Sequence, residues 1–355
     1  INQQNKKRKQ MKNIQKIVIT LLVSFGLMTS ASAGTLEVTG TAKATYNTLG
    51  NIDSQGRTLG LTNEINFGAS GELDNGFTWV YSMELDPANT ADGGAALNDD
   101  SSLKVTTGYG TIGVCISECG LSAALNFSQD AYSLMSDTGY AEGKIEPKNI
   151  SSYSNFSYAT PADLLPFGVV IKAGYAPNGS TTTNSGNATV AASTTVKDVE
   201  QYRVEAQPID GLDISASYLE TGLGSGSKAN EQQEVGYAAA VKYSVGNVSL
   251  GFGKTVAEPA VLDAAAETVA KSYENTNYSI GYAFNDALSL SYTAEESKKN
   301  TLSGSVANDL EVASYQAAYT MGGMTLAIAR TDYDNVAYVN NDDATETVFA
   351  VTMAF

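Results

Sequence analysis

Strict alternation of apolar and polar residues runs through most of the chain. Leu36, Val38, Ala42, Ala44 and Tyr46 interleave with Glu37, Thr39, Thr41, Lys43 and Thr45. Phe77, Trp79, Tyr81, Met83 and Leu85 interleave with Thr78, Val80, Ser82 and Glu84, and Leu288, Leu290, Tyr292 and Ala294 with Ser289, Ser291, Thr293 and Glu295. A period of two puts successive side chains on opposite faces of an extended strand, whereas a helical stripe would recur at three and four. Sixteen segments carry the pattern: 35–47, 59–73, 77–85, 101–109, 111–116, 149–160, 168–175, 199–207, 212–220, 234–243, 247–254, 276–284, 288–297, 311–320, 324–331 and 346–355.

The connections alternate in length. Short ones carry turn residues: Asp74-Asn75-Gly76, 108–110, Asp210-Gly211, Ser244-Val245-Gly246, Asn285-Asp286-Ala287 and Met321-Gly322-Gly323. Between them lie longer polar stretches at 86–100, 176–198, 221–233, 255–275 and 298–310. A barrel inserted from one side predicts this sorting, with short turns at one rim and long loops at the other. Aromatic residues fall at both ends of the apolar rows. Phe77, Tyr109, Tyr243, Phe284 and Tyr319 sit beside short turns; Tyr46, Tyr175, Tyr218 and Tyr292 sit near the long-loop ends. Two membrane interfaces select that placement, because a tyrosine has an apolar body and a polar tip.

In the clearest segments the charged residues keep to the polar parity, as Lys104, Lys172, Arg203, Glu205, Glu234 and Lys242 do. A charge facing mid-depth lipid costs ~2–4 kcal/mol, and a water-filled interior costs far less. The segments therefore predict a closed all-β barrel whose apolar half meets lipid. Each strand needs only half its residues apolar, so a mean hydropathy of −0.14 fits a membrane barrel.

Residues 1–33 stand apart. Met11, Lys12 and Lys16 precede an apolar run over 17–28, and Ala31-Ser32-Ala33 supplies the small residues of a cleavage site. This predicts a leader and secretory signal over 1–33, cleaved after Ala33, and a barrel domain over 34–355. The run is too short to cross ~30 Å of hydrocarbon as a helix. Removing the leader takes Lys+Arg from 21 to 15 against 38 acids, a formal charge of −23. Such a polyanion repels nucleic acid and attracts hydrated cations.

Cys115 and Cys119 are four residues apart. In an oxidising compartment a local disulfide is expected, with free thiols as the alternative. The chain has no histidine, which excludes Ser-His-Asp and Cys-His catalysis and leaves two thiols short of a metal site. No enzyme and no cofactor is expected. Asn98-Asp99-Asp100 and Asn340-Asn341-Asp342-Asp343 offer oxygen ligands for loop-bound calcium, but solvated loop tips explain them better. Glycines 222, 224 and 226 lack the strand-then-helix setting of a nucleotide loop.

The last segment, Glu346-Thr347-Val348-Phe349-Ala350-Val351-Thr352-Met353-Ala354-Phe355, ends on Phe with Phe349, Val351 and Met353 on the same face. It resembles the terminal signature read by the barrel assembly machinery of Gram-negative bacteria. With the sixteen segments, 34–355 resembles the general bacterial porin family in its Gram-negative branch. The resemblance implies a sixteen-stranded antiparallel barrel in the outer membrane, a homotrimer in outer-membrane lipid, and a third long loop folded into the pore. Here that loop is 117–148, with helical character over 121–135. Cys115 points inward by parity, so a bridge to Cys119 would brace the loop's root.

On this reading small polar solutes and ions diffuse passively, with a weak preference for cations. Candidate constriction residues are Glu118, Asp130, Asp137, Glu142 and Glu146, opposed by Lys144 and Lys148; candidate wall charges are Lys43, Glu64, Glu84, Lys104, Lys172 and Arg203. Opposed charges across a gap would orient polar solutes. A substrate-specific channel with a saturable site is the main rival, and a surface adhesin or structural β protein a weaker one.

Overall fold

A computed structural model of the chain describes residues 34–50, 57–87, 96–123, 149–179, 196–223, 232–261, 270–304 and 307–355. The expected leader at 1–33 lies outside the described residues. The strands are β1 (Thr35–Gly50), β2 (Arg57–Glu72), β3 (Thr78–Pro87), β4 (Ala96–Thr107), β5 (Gly110–Ile116), β6 (Asn155–Ala159), β7 (Val170–Ala176) and β8 (Val196–Ile209) in the first half. In the second are β9 (Leu212–Leu223), β10 (Val235–Val245), β11 (Val248–Glu258), β12 (Ala270–Ala283), β13 (Leu288–Thr301), β14 (Leu310–Met321), β15 (Met324–Asp334) and β16 (Ala344–Ala354). Each strand pairs antiparallel with its sequence neighbours, and β1 pairs with β16, so the sheet closes without an edge.

Local chemistry sets the tight hairpins. Gly211 has φ +81, and a Cβ there would lie 2.2 Å from the Ser244 carbonyl oxygen. Only glycine supplies that turn. The Asn285 side chain accepts bonds from the Ala287 and Leu288 N–H groups, both at 2.8 Å, closing the β12–β13 turn.

Directly opposed residues of an antiparallel pair share a face, so register assigns every side chain to one side of the wall. Leu36, Val38, Ala44 and Tyr46 face Ala69, Phe67, Leu61 and Leu59 on one side; Thr41 and Lys43 face Glu64 and Thr62 on the other. The apolar row continues round the barrel through Tyr81–Leu103, Val114–Phe156, Val241–Phe252, Ile280–Tyr292 and Leu326–Val351. This row is the exposed one: Leu36 is 67% and Leu59 85% accessible, while Thr293 and Ser314 on the other face are 0%. This apolar girdle, interrupted on β2 by Asn63 opposite Ala42, surrounds a polar inside, which inverts a water-soluble protein and matches a hydrocarbon surround.

Three features depart from the sequence pattern. The expected strand over 149–160 is shorter: a 3-10 turn at Ile150–Ser152 precedes β6, because the chain there turns inward. On the inner wall from β8 to β16 many small polar side chains are buried against one another. Serine, threonine and asparagine side chains converging on a concave surface are small enough to bond one another, as Ser314 does with Thr331 at 3.1 Å and Asn275 with Thr255 at 2.7 Å. Finally, charge is not confined to the inner face. Register puts Glu200, Glu220, Lys254, Glu274, Glu296, Lys298 and Arg330 outside, all towards the long-loop ends. β12 and β13 there extend into stretches expected as loops, so the wall continues beyond the apolar band, where a charge has water.

The apolar girdle predicts the effect of a mid-depth charge. Val241 faces outward between Ile214 and Phe252. Val241→Arg is expected to lose about 2–4 kcal/mol of folding free energy in lipid vesicles. Ser249→Arg, on the inner face, is expected to lose much less, and urea titration of the heat-modifiable gel band compares them.

Candidate functional site

The long loop leaves the wall at the end of β5, and the chemistry of its root decides where it goes. Ser117 (φ 55) and Cys119 (φ 64) both adopt the left-handed conformation, which costs non-glycine residues of order 1–3 kcal/mol each. The Cys115–Cys119 disulfide clamps this turn. Closing so short a ring removes about 2 kcal/mol worth of chain entropy from the unfolded state on the loop-closure model. Cys115 faces inward opposite Ser102 and Asn155, the orientation its parity predicted.

Asn155, at the start of β6, ties both limbs of the loop. Its Nδ2 donates to the carbonyl oxygen of Glu118 at 3.1 Å on the outgoing limb, and to those of Tyr153 at 3.1 Å and Ile150 at 3.4 Å on the returning limb. Asn149 Oδ1 accepts from the Leu121 N–H at 2.8 Å and joins the limbs again. Three wall residues then hold the limbs against the inner face. Gln201 Oε1 accepts from the Ile150 N–H at 2.8 Å, Arg203 Nη1 donates to the Ser122 carbonyl at 3.1 Å, and Ser217 Oγ accepts from the Ala123 N–H at 3.1 Å. Buried backbone groups left without such partners would cost about 1–3 kcal/mol each.

Apolar packing reinforces the anchoring. Leu121, Ile150 and Tyr153 bury against Ala176, Val196, Val199 and Leu219, and Ala123 against Ala238. Ile150 is fully buried, and a Cβ at Gly174 would come within 2.9 Å of its Cδ1, so the glycine makes room for the loop. Burying side chains of this size stabilises by ~1.5–3 kcal/mol each. The outgoing limb thus crosses the inner faces of β7 to β9 and reaches β10. The loop root lies inside the barrel.

The predicted wall charges all face inward. Lys43 lies opposite Thr62 and Thr352, Glu64 opposite Thr41, Glu84 opposite Asn66, and Lys104 opposite Val80 and Gly113. Lys172 and Arg203 are direct cross-strand partners. Glu205 joins them: its Oε1 lies 2.8 Å from Lys172 Nζ and its Oε2 3.1 Å from Arg203 Nε. Arg203 is buried, and the loop carbonyl and Glu205 occupy its guanidinium, so it works as an anchor rather than as an open wall charge. Glu118 sits in the outgoing limb, where its carboxylate accepts from the Cys119 N–H at 3.2 Å. Asp130, Asp137, Glu142, Lys144, Glu146 and Lys148 lie outside the described residues, as does most of the helix expected over 121–135; its first three residues form no helix. Among the described residues no three Cys, Asp or Glu gather as a metal site, and Asp343 accepts from the Asn335 N–H at 3.2 Å.

Asn149, Asn155, Gln201 and Ser217 were not singled out in the sequence. Their signal was weak: polar residues on the inner parity are common, and only the fold brings these four to one place. On β16, Phe349, Val351 and Met353 face outward as expected, and Phe355 exchanges backbone hydrogen bonds with Gly40 at 2.8 and 3.0 Å. A Cβ on Gly40 would meet the Phe355 ring at 2.6 Å, so the glycine makes room for the ring.

A closed sixteen-strand barrel with one long connection rooted in its lumen is a channel architecture, and residues 19–354 match the profile described as Gram-negative porin. The chain belongs to the Gram-negative porin family. Solved porin structures share its fold at low identity. The anion-selective porin from Comamonas acidovorans is 11% identical with a TM-score of 0.66, covering 91% of this chain and 100% of that one. Salmonella typhi OmpF is 15% identical with a TM-score of 0.63, covering 93% and 100%. OmpT, an outer membrane protein of Vibrio cholerae, is 13% identical with a TM-score of 0.64 over the same shares. No curated protein matches the chain. The protein is an outer-membrane porin, and its barrel sits in the bacterial outer membrane.

The hub role of Asn155 generates a test. Asn155→Leu removes the donor shared by both limbs while keeping the side chain's bulk. Single-channel recordings are expected to show a noisier open state and a mean conductance raised by a few tens of per cent. The heat-modifiable barrel should persist, because the strand ladders are untouched.

Proposed function

We propose that this porin is a passive diffusion channel for small hydrophilic solutes and ions, weakly preferring cations, and not an enzyme. The observation that carries the reading is the root of the 117–148 loop, bonded inside the lumen by Asn155, Gln201 and Arg203. A loop anchored there narrows the passage. The charges of the loop and of the facing wall then act on solutes where little bulk water screens them.

Charge gives the sign of the preference. The chain beyond the expected leader carries −23, and two of the wall cations, Lys172 and Arg203, share the carboxylate of Glu205. A barrel of the same fold serves an anion-selective porin, so lining charge rather than architecture sets selectivity. Assembly as a homotrimer fits the fold, since OmpT of Vibrio cholerae is known in a trimer form. Secretion through the 1–33 signal and recognition of the Phe349, Val351, Met353 and Phe355 row by the barrel assembly machinery complete the proposal.

Reversal potentials across a tenfold salt gradient should show cations more permeant than anions by a factor of about two to five; an anion preference would refute the selectivity reading. Deleting residues 121–142 should raise single-channel conductance. Unchanged conductance would mean that this loop is not the constriction.

A further inference from the structure

Among the described residues, the connection between β15 and β16 also turns into the barrel. It begins at Asn335 (φ 59), makes a 3-10 turn over Val336–Tyr338, and reaches β16 through Asn341 (φ 58). Ala337 (φ 53) and Tyr338 (φ 65) are also left-handed, and unlike the two asparagines they hold that conformation at a cost. Strain of that kind persists only where surrounding contacts over-determine it. Here they do. Asn335 Nδ2 donates to the Asp309 carbonyl at 2.9 Å, Asn335 Oδ1 accepts from the Asn341 N–H at 3.1 Å, and the Val336 N–H donates to the Asp342 carbonyl at 2.6 Å.

Register shows which side the turn occupies. Val336 and Tyr338 are buried in a cluster with Leu310, Val312, Tyr333 and Ala344. Val312 and Ala344 both oppose Tyr333, and Leu310 opposes Ser297, which places the cluster on the inner face. The Tyr338 hydroxyl lies 2.7 Å from Ser297 Oγ, its ring centroid 5.6 Å from that of Tyr273, and Lys299 Nζ 5.8 Å from its centroid. Ser297 passes the contact on to Asn275, and Asn275 to Thr255. One tyrosine therefore pins the turn across the inner faces of β12 to β14, near their long-loop ends, on a wall whose hydroxyl and amide bonds continue to β11. The root of the 117–148 loop lies elsewhere on the wall, over β7 to β10.

We propose that this turn is a second constriction, at the outer mouth of the pore and in series with the long loop, and that Tyr338 sets its aperture. The inference rests on the channel reading. Its predicted effect is sided: large solutes arriving from the long-loop end meet the turn first. Val339 is exposed at the turn while its neighbour Tyr338 is buried, so it is a position where a reagent can reach the turn.

Planar-bilayer recording on the full-length channel tests it with two variants. Tyr338→Ala should raise conductance about 1.5-fold and admit larger polyethylene glycols from the long-loop side only. In a separate Val339→Cys variant the native cysteines remain paired, and a bulky thiol reagent added from that side should lower conductance by a third or more. This second variant leaves the packing intact, so it is informative even if Tyr338→Ala fails to fold. Thiol modification of the Val339→Cys variant without any conductance change would overturn the proposal, as would an unaltered polymer cut-off in folded Tyr338→Ala. A wild-type protein that forms no channel would instead refute the underlying reading of the function.

Discussion

The structure depends on one constraint: inside hydrocarbon there is no water to take an unpaired backbone N–H or C=O. Closure of β1 on β16 meets it, because every strand then has two neighbours and no edge remains. Alternation follows. Once the sheet is closed, one parity of each strand meets lipid and the other meets the lumen, and the girdle from Leu36 through Val241 to Met353 is the result. The Phe355–Gly40 bonds extend the closing seam past the last residue of β16, and the glycine lets the terminal ring lie across β1.

A closed wall also decides what loops can do. The lumen is lined by side chains of one parity from sixteen strands, many of them small and polar, and it offers hydrogen-bonding partners to any segment that turns inward. Among the described residues two segments use this. The long loop is held by amide side chains and one guanidinium that satisfy its backbone, with Leu121 and Ile150 as apolar pegs. The β15–β16 turn is held by a buried tyrosine and a string of hydroxyl and amide contacts. Both sites join strained backbone to dense packing, so the cost of the left-handed residues at each is offset by the burial around them.

The outer charges belong to the same logic. Glu200 and Glu220 face each other across β8 and β9 on the outside, yet Tyr202 and Tyr218 donate to them from the next outward positions, at 2.8 and 2.5 Å. A tyrosine at the border of the apolar band keeps its ring in the band and offers its hydroxyl to a carboxylate above it. Sequence parity alone could not show where the band stops, because strand pairing continues beyond it.

The sequence by itself determined the strand number, the sidedness of every clear strand, the sorting of turns from loops and the inward aim of Cys115. All of these follow from a period of two and from turn chemistry, which are local. It also supplied the inward parity of Lys43, Glu64, Glu84, Lys104, Lys172 and Arg203. What only the tertiary structure decided is which of those residues touch one another. Arg203 became an anchor because Ser122 and Glu205 converge on it from distant positions, and Asn155, Gln201 and Tyr338 gained their roles the same way. Contacts across a lumen depend on how a closed sheet curves and where a loop re-enters, and no short-range pattern encodes that.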